Sequence, residues 1–221
     1  QRKCNQIKAF ESKTDNYELI NKLTQSISHR GPDQKSVKIY PFGEKYLHLG
    51  SARLAVTGLS DGDMPMHDDH GNALIYNGEI YDLKRLRKEF NIDLNSTSDT
   101  RHLLNLLSNN PASSLQEING MFAFAYFNKV EEKLVISRDK LGIKPLFYGT
   151  NNKFDFYFSS EIKPLIDNKI VNRATTEKQI QDYLYFGGIT KKNGLISDIS
   201  AIEPGTTVEY DSKGSVSSQS L

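Results

Sequence analysis

Apolar residues along the chain fall into short runs and alternations that predict strands more often than helices. The strongest run is MFAFAYF at 121–127, which is near-continuously apolar and too aromatic for a surface helix. A second run, LIY at 74–76, leads into Asn77 and Gly78. Further strands are predicted at 7–10, 36–40, 46–55, 134–137, 146–148 and 154–158. Strands therefore dominate the first two thirds of the chain, with hairpins between them.

Helical periodicity is strongest at 16–28, where apolar residues recur on one face. Asp82 is expected to cap a helix that runs to residue 90, and a Ser-x-x-Glu pattern from Ser114 to Glu117 predicts a capping box. Further helices are predicted at 101–108, 161–166 and 178–186. This mixture indicates an α+β domain with largely antiparallel sheets.

The last stretch of the chain has a different composition. From Asp211 onward the sequence DSKGSVSSQSL is rich in serine, which predicts a linker or tail. We therefore expect one domain over 1–210, followed by a tail over 211–221.

Composition excludes several classes of function. The chain has 221 residues and a net charge of +1, without the basic excess of a nucleic-acid-binding protein. No apolar run approaches the roughly 20 residues that span a bilayer, and the N-terminus lacks the apolar core of a signal peptide. Cys4 is the single cysteine, so no intrachain disulfide can form, which fits a reducing compartment such as the cytoplasm.

The stretch LIYNGEIYD at 74–82 carries the most suggestive chemistry. A carboxamide (Asn77), a backbone N–H without a side chain (Gly78) and a carboxylate (Glu79) follow an apolar strand. Fixed N–H dipoles of this kind can hold an oxyanion. Asn-Gly is also the commonest signal for a two-residue hairpin turn, and on this stretch alone the turn is the favoured interpretation.

Three other polar positions have two interpretations each. Arg53 lies in an apolar run and is either a surface residue or a buried anion clamp. Asp99 precedes a leucine-rich helix, so an N-cap explains it without any chemistry. The cluster His67-Asp68-Asp69-His70 matches no defined metal-ligand spacing, and a solvated acidic loop is the better interpretation.

Several segments, in order, resemble the N-terminal glutaminase domain of glutamine-dependent asparagine synthetase, a class II glutamine amidotransferase of the N-terminal-nucleophile (Ntn) type. They are SHRGPD (28–33), ARLAVTGLS (52–60), DMPM (63–66), YNGEIYD (76–82), SDT (98–100), INGMFAFAYF (118–127), RDKLGIKPLFY (138–148) and FSSEIKPLI (158–166). YFGGI and IEPGTTVEY resemble the segment that leads out of that domain. The resemblance covers roughly positions 4 to 210, and so many ordered segments make chance agreement very improbable.

The resemblance implies a four-layer αββα sandwich of two antiparallel sheets, and it assigns roles to residues. Cys4 would be the nucleophile, and its own α-amino group would be the base. The Asn77 side chain and the Gly78 N–H would form the oxyanion hole. Arg53 would bind the α-carboxylate of glutamine, while Asp99, with Glu79 near it, would bind the α-ammonium.

Two departures from the family pattern leave two interpretations open. Gln1, Arg2 and Lys3 precede Cys4, and Asn5 and Lys8 replace glycines. The domain either hydrolyses glutamine once the leader is removed, or it is an inactive Ntn-fold module that supports a synthetase domain.

The resemblance also bears on cofactors and partners. No cofactor is expected in this domain, whereas ATP and magnesium would belong to a synthetase domain in the same or another chain. Glutamine is the expected small-molecule partner and a homodimer the expected assembly, with neither nucleic acid nor membrane as a partner.

Overall fold

The computed structural model describes residues 6–54, 63–92, 96, 98–109, 111–152, 154–172, 174–187, 196 and 198–221. Cys4, Asn5 and the three residues before them lie outside this range, as does part of the segment 52–60.

The described residues form twelve strands and six helices. In chain order they are β1 (Gln6–Ser12), α1 (Tyr17–Gln25), β2 (Gln34–Phe42), β3 (Lys45–Arg53), β4 (Met66–His67), β5 (Ala73–Ile80), α2 (Leu83–Glu89), α3 (Asp99–Asn109), α4 (Pro111–Glu117), β6 (Gly120–Asn128), β7 (Lys133–Arg138), β8 (Phe147–Gly149), β9 (Tyr157–Ser159), α5 (Lys163–Asp167), α6 (Glu177–Phe186), β10 (Ser200–Ala201), β11 (Thr206–Asp211) and β12 (Val216–Ser220).

These strands make two six-stranded sheets, each antiparallel throughout. The first sheet has the order β10-β8-β9-β1-β3-β2, and the second has the order β12-β11-β7-β6-β5-β4. The apolar run at 121–127 is the core of β6, a central strand of the second sheet, as its composition predicts.

A hydrophobic core joins the two sheets and arranges the molecule in four layers. Leu49 and Phe158 of the first sheet share one buried cluster with Phe124 and Ile136 of the second. Helix α1 covers the outer face of the first sheet through Ile20, which packs in a separate buried cluster. Helix α3 packs on β4, β5 and β6 of the second sheet. The fold is therefore the αββα sandwich that the resemblance implies.

The predicted capping box is wrong. Helix α4 begins at Pro111, so Ser114 lies in its middle and its hydroxyl is buried rather than placed at an N-cap. Proline at the first helical position starts a helix, because its fixed φ suits the first turn and its missing N–H would have no intrahelical partner there.

The serine-rich end of the chain also differs from the linker predicted for it. Residues Val216–Ser220 form β12, whose Ser218 pairs with Val208 of β11. A tight turn joins the two strands: Asp211 Oδ1 accepts the N–H of Ser215 over 2.8 Å, and Gly214 has φ of 89°. All five strand residues are exposed, so backbone pairing forms this strand without the apolar pattern by which strands are recognised in a sequence.

Among the described residues, none of the helices combines the length and apolar character needed to cross a membrane.

Candidate active site

Arg53 ends β3 and is buried, with 5% of its surface exposed. Its Nη1 lies 3.5 Å from Oδ1 of Asp63, whose side chain is 75% exposed. The structure therefore excludes the surface interpretation of Arg53. A buried guanidinium beside a largely solvated carboxylate suits the anion clamp, since Arg binds carboxylates in a fixed, bidentate geometry.

The SHRGPD segment holds the backbone at Arg53. The N–H of Asp33 donates to the carbonyl oxygen of Arg53 over 3.2 Å, and Pro32 forms a β-bridge with Arg53. A Cβ on Gly31 would lie 2.5 Å from the nitrogen of Arg53, so only glycine permits this close approach. Arg30 in turn binds Glu161 over 2.9 Å, which links this segment to the later FSSEIKPLI segment.

Asn77 and Gly78 lie inside β5, which continues to Ile80 in register with β6. The hairpin-turn interpretation is therefore wrong. Asn77 is 2% exposed and pairs with Ala123, and Gly78 pairs with Phe122. Glu79, the next residue, is exposed on the same strand.

The N–H of Gly78 points away from β6. Phe122, directly opposite, gives its N–H to Oδ2 of Asp139 over 3.2 Å and accepts the N–H of Asp139 over 2.9 Å. Alternate residues of a strand direct their N–H groups to the same side, and the N–H of Tyr76 donates to Sδ of Met64 over 3.2 Å. The Gly78 N–H is thus aimed at the edge of β5 that Met64 occupies, where an oxyanion can accept it.

Glycine at position 78 is also a steric requirement. A Cβ there would lie 2.2 Å from the carbonyl oxygen of Met121 and 2.7 Å from Cα of Phe122. Neither neighbour is the free end of a flexible side chain, so the close pairing of β5 with β6 depends on glycine.

Asp99 contacts the same strand from the first turn of α3. It is 6% exposed, and its Oδ2 accepts the hydroxyl of Tyr76 over 3.2 Å. Its Oδ1 accepts the N–H of Thr100 over 3.0 Å. Burial, followed by the negative charge of Asp99, raises the pKa of Tyr76 well above its usual value, so this tyrosine stays a hydrogen-bond donor.

Met64 connects these parts to β3. Its carbonyl oxygen accepts the hydroxyl of Ser51 over 3.1 Å, while its Sδ accepts the N–H of Tyr76. Ser51 lies two residues before Arg53 on β3. Met64 is itself buried, with 2% of its surface exposed.

The nucleophile predicted at Cys4 lies outside the described residues. Gln6, two positions later, pairs with Ala52, directly before Arg53. The chain therefore enters β1 beside the end of β3 that carries the buried guanidinium.

The segment 138–148 runs from the last residue of β7 into β8, and it contacts β6 on the side opposite β5. Asp139 is 1% exposed, and its two carboxylate oxygens accept the N–H groups of Phe122, Leu141, Ile143 and Lys144 over 2.9 to 3.2 Å. Arg138 donates to the carbonyl oxygens of Gly142, Lys144 and Ile202 over 2.6 to 2.7 Å. The sequence signal for this loop was a polar Arg-Asp pair directly after a buried strand, but its partners cannot be read from spacing.

The His67–His70 cluster has a structural explanation. Asp68 accepts hydrogen bonds from Ser108 Oγ over 2.5 Å and from Asn72 Nδ2 over 2.8 Å. His67 Nε2 lies 2.9 Å from the hydroxyl of Tyr40. Within the described part of the chain, no group of histidine and carboxylate side chains has the geometry of a metal site.

The fold defined by these layers is that of Ntn-type glutamine amidotransferases. The glutamine phosphoribosylpyrophosphate amidotransferase of Bacillus subtilis superposes with a TM-score of 0.69 at 15% identity, over 98% of this chain and 49% of that chain. The structure of an allosteric regulatory enzyme of purine biosynthesis superposes with a TM-score of 0.70 at 16% identity, over the same shares. At these identities the likeness concerns the fold alone.

Sequence comparison identifies the family. The glutamine amidotransferase domain family matches residues 4–220, so the chain belongs to it. It is similar to the glutamine-hydrolysing asparagine synthetase 1 of Bacillus subtilis, at 34% identity over 87% of this chain and 30% of that protein. It is also similar to asparagine synthetase B of Escherichia coli, at 31% identity over 82% of this chain and 33% of that protein. The chain thus spans about a third of the length of these relatives.

Proposed function

We propose that the chain hydrolyses glutamine to glutamate and ammonia, as the glutaminase part of an asparagine synthetase-like protein. The observation that carries this proposal is the direction of the Gly78 N–H, at the edge of β5 that Met64 occupies. Met64 also contacts β3, which ends at the buried cation Arg53, and β5 contacts the buried anion Asp99 through Tyr76. One small zwitterion with a reactive amide requires this combination. The family match begins at Cys4, which supports this cysteine as the nucleophile.

The reaction proceeds through a thioester. The Cys4 thiolate attacks the side-chain amide carbon of glutamine, and the carbonyl oxygen becomes an oxyanion that accepts the Gly78 N–H and the Asn77 carboxamide N–H. The proton taken from the thiol passes to the leaving nitrogen, so ammonia departs as the C–N bond breaks. Water then cleaves the thioester to give glutamate and the free thiol. Arg53 and Asp99 hold the α-carboxylate and α-ammonium throughout, with Glu79 near the latter.

The base in this proposal is the α-amino group of Cys4, whose pKa of about 8 suits proton transfer at neutral pH. While Gln1, Arg2 and Lys3 remain attached, the Cys4 nitrogen is part of an amide and cannot accept a proton at neutral pH. Their removal is therefore a requirement of the mechanism.

The ammonia would feed ATP-dependent amide synthesis by a synthetase domain, in the same or another chain. The names of the relatives support asparagine as the product, and the two thirds of their length beyond the match leave room for such a domain. ATP and magnesium belong to that domain, and no cofactor is assigned to this one. We place the reaction in the cytoplasm, because the single cysteine has to remain reduced, and we retain the homodimer as an expected assembly.

The test compares three purified chains by glutamate release from glutamine: one whose N-terminus is Cys4, one that retains Gln1-Arg2-Lys3, and Cys4→Ala. We expect release from the first only. Intact mass of the natively produced protein shows whether the leader is removed. If the first chain binds glutamine but releases no glutamate, the hydrolysis proposal fails, and the alternative of an inactive module supporting a synthetase domain takes its place.

A further inference from the structure

The hydrogen bond between Tyr76 and Asp99 has no role in the steps of the proposed reaction. Its side chain is fully buried, and its hydroxyl donates to Asp99 Oδ2 over 3.2 Å. Asn77 and Gly78 follow it directly on β5. The tyrosine therefore connects the strand that carries the oxyanion donors with the helix that carries the ammonium-binding carboxylate.

Tyr76 is also connected, through Met64, to β3, the strand that ends at Arg53. Its backbone N–H donates to Met64 Sδ, and the carbonyl of Met64 accepts the Ser51 hydroxyl on the strand that ends at Arg53. Buried hydrogen bonds thus connect Asp99 with β3 at Ser51, two residues before Arg53, and Tyr76 lies at the centre of this series.

We propose that Tyr76 is a positioning residue, whose hydroxyl orients the Asp99 carboxylate for the α-ammonium group of the substrate. This inference rests on the proposed function. A carboxylate fixed before binding loses little rotamer freedom when the ammonium arrives, and this pre-organisation increases affinity. The Tyr76 hydroxyl touches Asp99 and no reacting atom, so its effect lies on substrate binding rather than on the chemical step.

The first experiment compares Tyr76→Phe with the wild type in glutamine hydrolysis. We expect KM for glutamine to rise about five- to tenfold, because one hydrogen bond to a charged group is lost, with kcat changed less than twofold. The matched control is Tyr126→Phe on the neighbouring strand β6, which removes a hydroxyl that lies 3.4 Å from Ser108 Oγ. The control should leave KM unchanged. Equal KM in Tyr76→Phe and the wild type overturns the inference.

A substrate analogue separates positioning from general loosening of the core. Glutaramate, the monoamide of glutaric acid, keeps the amide and the carboxylate of glutamine but lacks the α-ammonium. Tyr76→Phe should hydrolyse glutaramate as well as the wild type does. An equal loss of hydrolysis rate on glutamine and glutaramate would mean that the Tyr76 hydroxyl is merely structural, and it would overturn the inference. In an Asp99→Asn background, Tyr76→Phe should cause no further rise in KM for glutamine. If Tyr76→Phe merely loosened the core, it would raise KM further in this background too, and that result would overturn the inference.

Binding measurements keep this inference distinct from the proposed function. Calorimetry gives the affinity of Cys4→Ala and of Cys4→Ala with Tyr76→Phe for glutamine, without turnover. If the chain that begins at Cys4 releases no glutamate, but Tyr76→Phe weakens glutamine binding in the Cys4→Ala background, the hydrolysis is overturned and the positioning role is supported. If the chain that begins at Cys4 releases glutamate but Tyr76→Phe leaves the affinity for glutamine unchanged, only the positioning role is overturned. If the protein neither releases glutamate nor binds glutamine, the hydrolysis and the positioning role are both overturned.

Discussion

Gly78 lies directly opposite Phe122 in the β5–β6 ladder, yet Phe122 exchanges both of its backbone hydrogen bonds with Asp139 on the other side. This arrangement lets the N–H of Gly78 face the candidate site rather than the sheet. The proposed oxyanion donor and the buried carboxylate of Asp139 therefore belong to one structural unit.

Asp139→Asn should lower the free energy of unfolding by about 2–4 kcal/mol, because the amide group in place of one carboxylate oxygen leaves two buried N–H donors without an acceptor. Urea unfolding at neutral pH measures the change. Asp69→Asn is the matched control, since Asp69 is exposed. A loss no larger than that of the control would mean that water or other groups replace the carboxylate.

Gly78→Ala should destabilise the protein by about 1–3 kcal/mol and abolish ammonia release, since the new methyl group would collide with the backbone at Met121 and Phe122. Thermal unfolding and a glutaminase assay measure the two effects. Ser218→Ala on the exposed strand β12 should change neither. Full activity in Gly78→Ala would show that the N–H of residue 78 is not required in this position.

Arg53→Met should raise KM for glutamine about 10- to 100-fold, with a smaller effect on kcat, because it removes the proposed charge partner of the α-carboxylate while keeping an apolar stem. Loss of the ion pair with the exposed Asp63 should cost little stability. Arg85→Met is the control: its guanidinium binds Asp82 over 2.8 Å on the surface. An unchanged KM in Arg53→Met would rule out the clamp.

Asp68→Asn should destabilise the protein at pH 7 but not under acidic conditions. Partial burial tends to raise the pKa of Asp68, but hydrogen bonds from Ser108 and Asn72 outweigh it and hold the pKa below its usual value. A lowered pKa in the folded state gives stability that is present above about pH 4 and is lost as the pH falls through the folded pKa. Urea unfolding of wild type and Asp68→Asn between pH 7 and pH 3 should therefore converge. A pH-independent difference would contradict this.

The sequence predicts those elements in which the buried side chains form an apolar run or a periodic apolar pattern. The run at 121–127 becomes β6, and the helical pattern at 16–28 becomes α1, although regular helix ends at Gln25. Strand β12 was missed because no residue in it is buried, so its side chains carry no periodic signal. Ser114 has capping-box spacing, but the helix begins three residues earlier at Pro111, so the same residues lie within the helix.

The candidate site is predictable only in part, because motifs give the positions of its residues but not the contacts between distant parts of the chain. The positions of Arg53, Asn77, Gly78 and Asp99 follow from ordered motifs, and the structure places each of them in or beside the two sheets. Their catalytic and binding roles stay predictions. The contact of Tyr76 with Asp99 joins residues 23 positions apart, and no spacing rule relates a strand residue to the start of a later helix.

The register between β5 and β6 also determines which groups of β5 face the candidate site. Successive side chains of a strand point to opposite faces, so Tyr76 and Asn77 address different sides of the second sheet. A register shift of one residue would exchange the faces of the Tyr76 phenol and the Asn77 carboxamide, and the Gly78 N–H would then point towards β6. Insertions or deletions of a single residue within 73–80 should thus be far more damaging than most substitutions there.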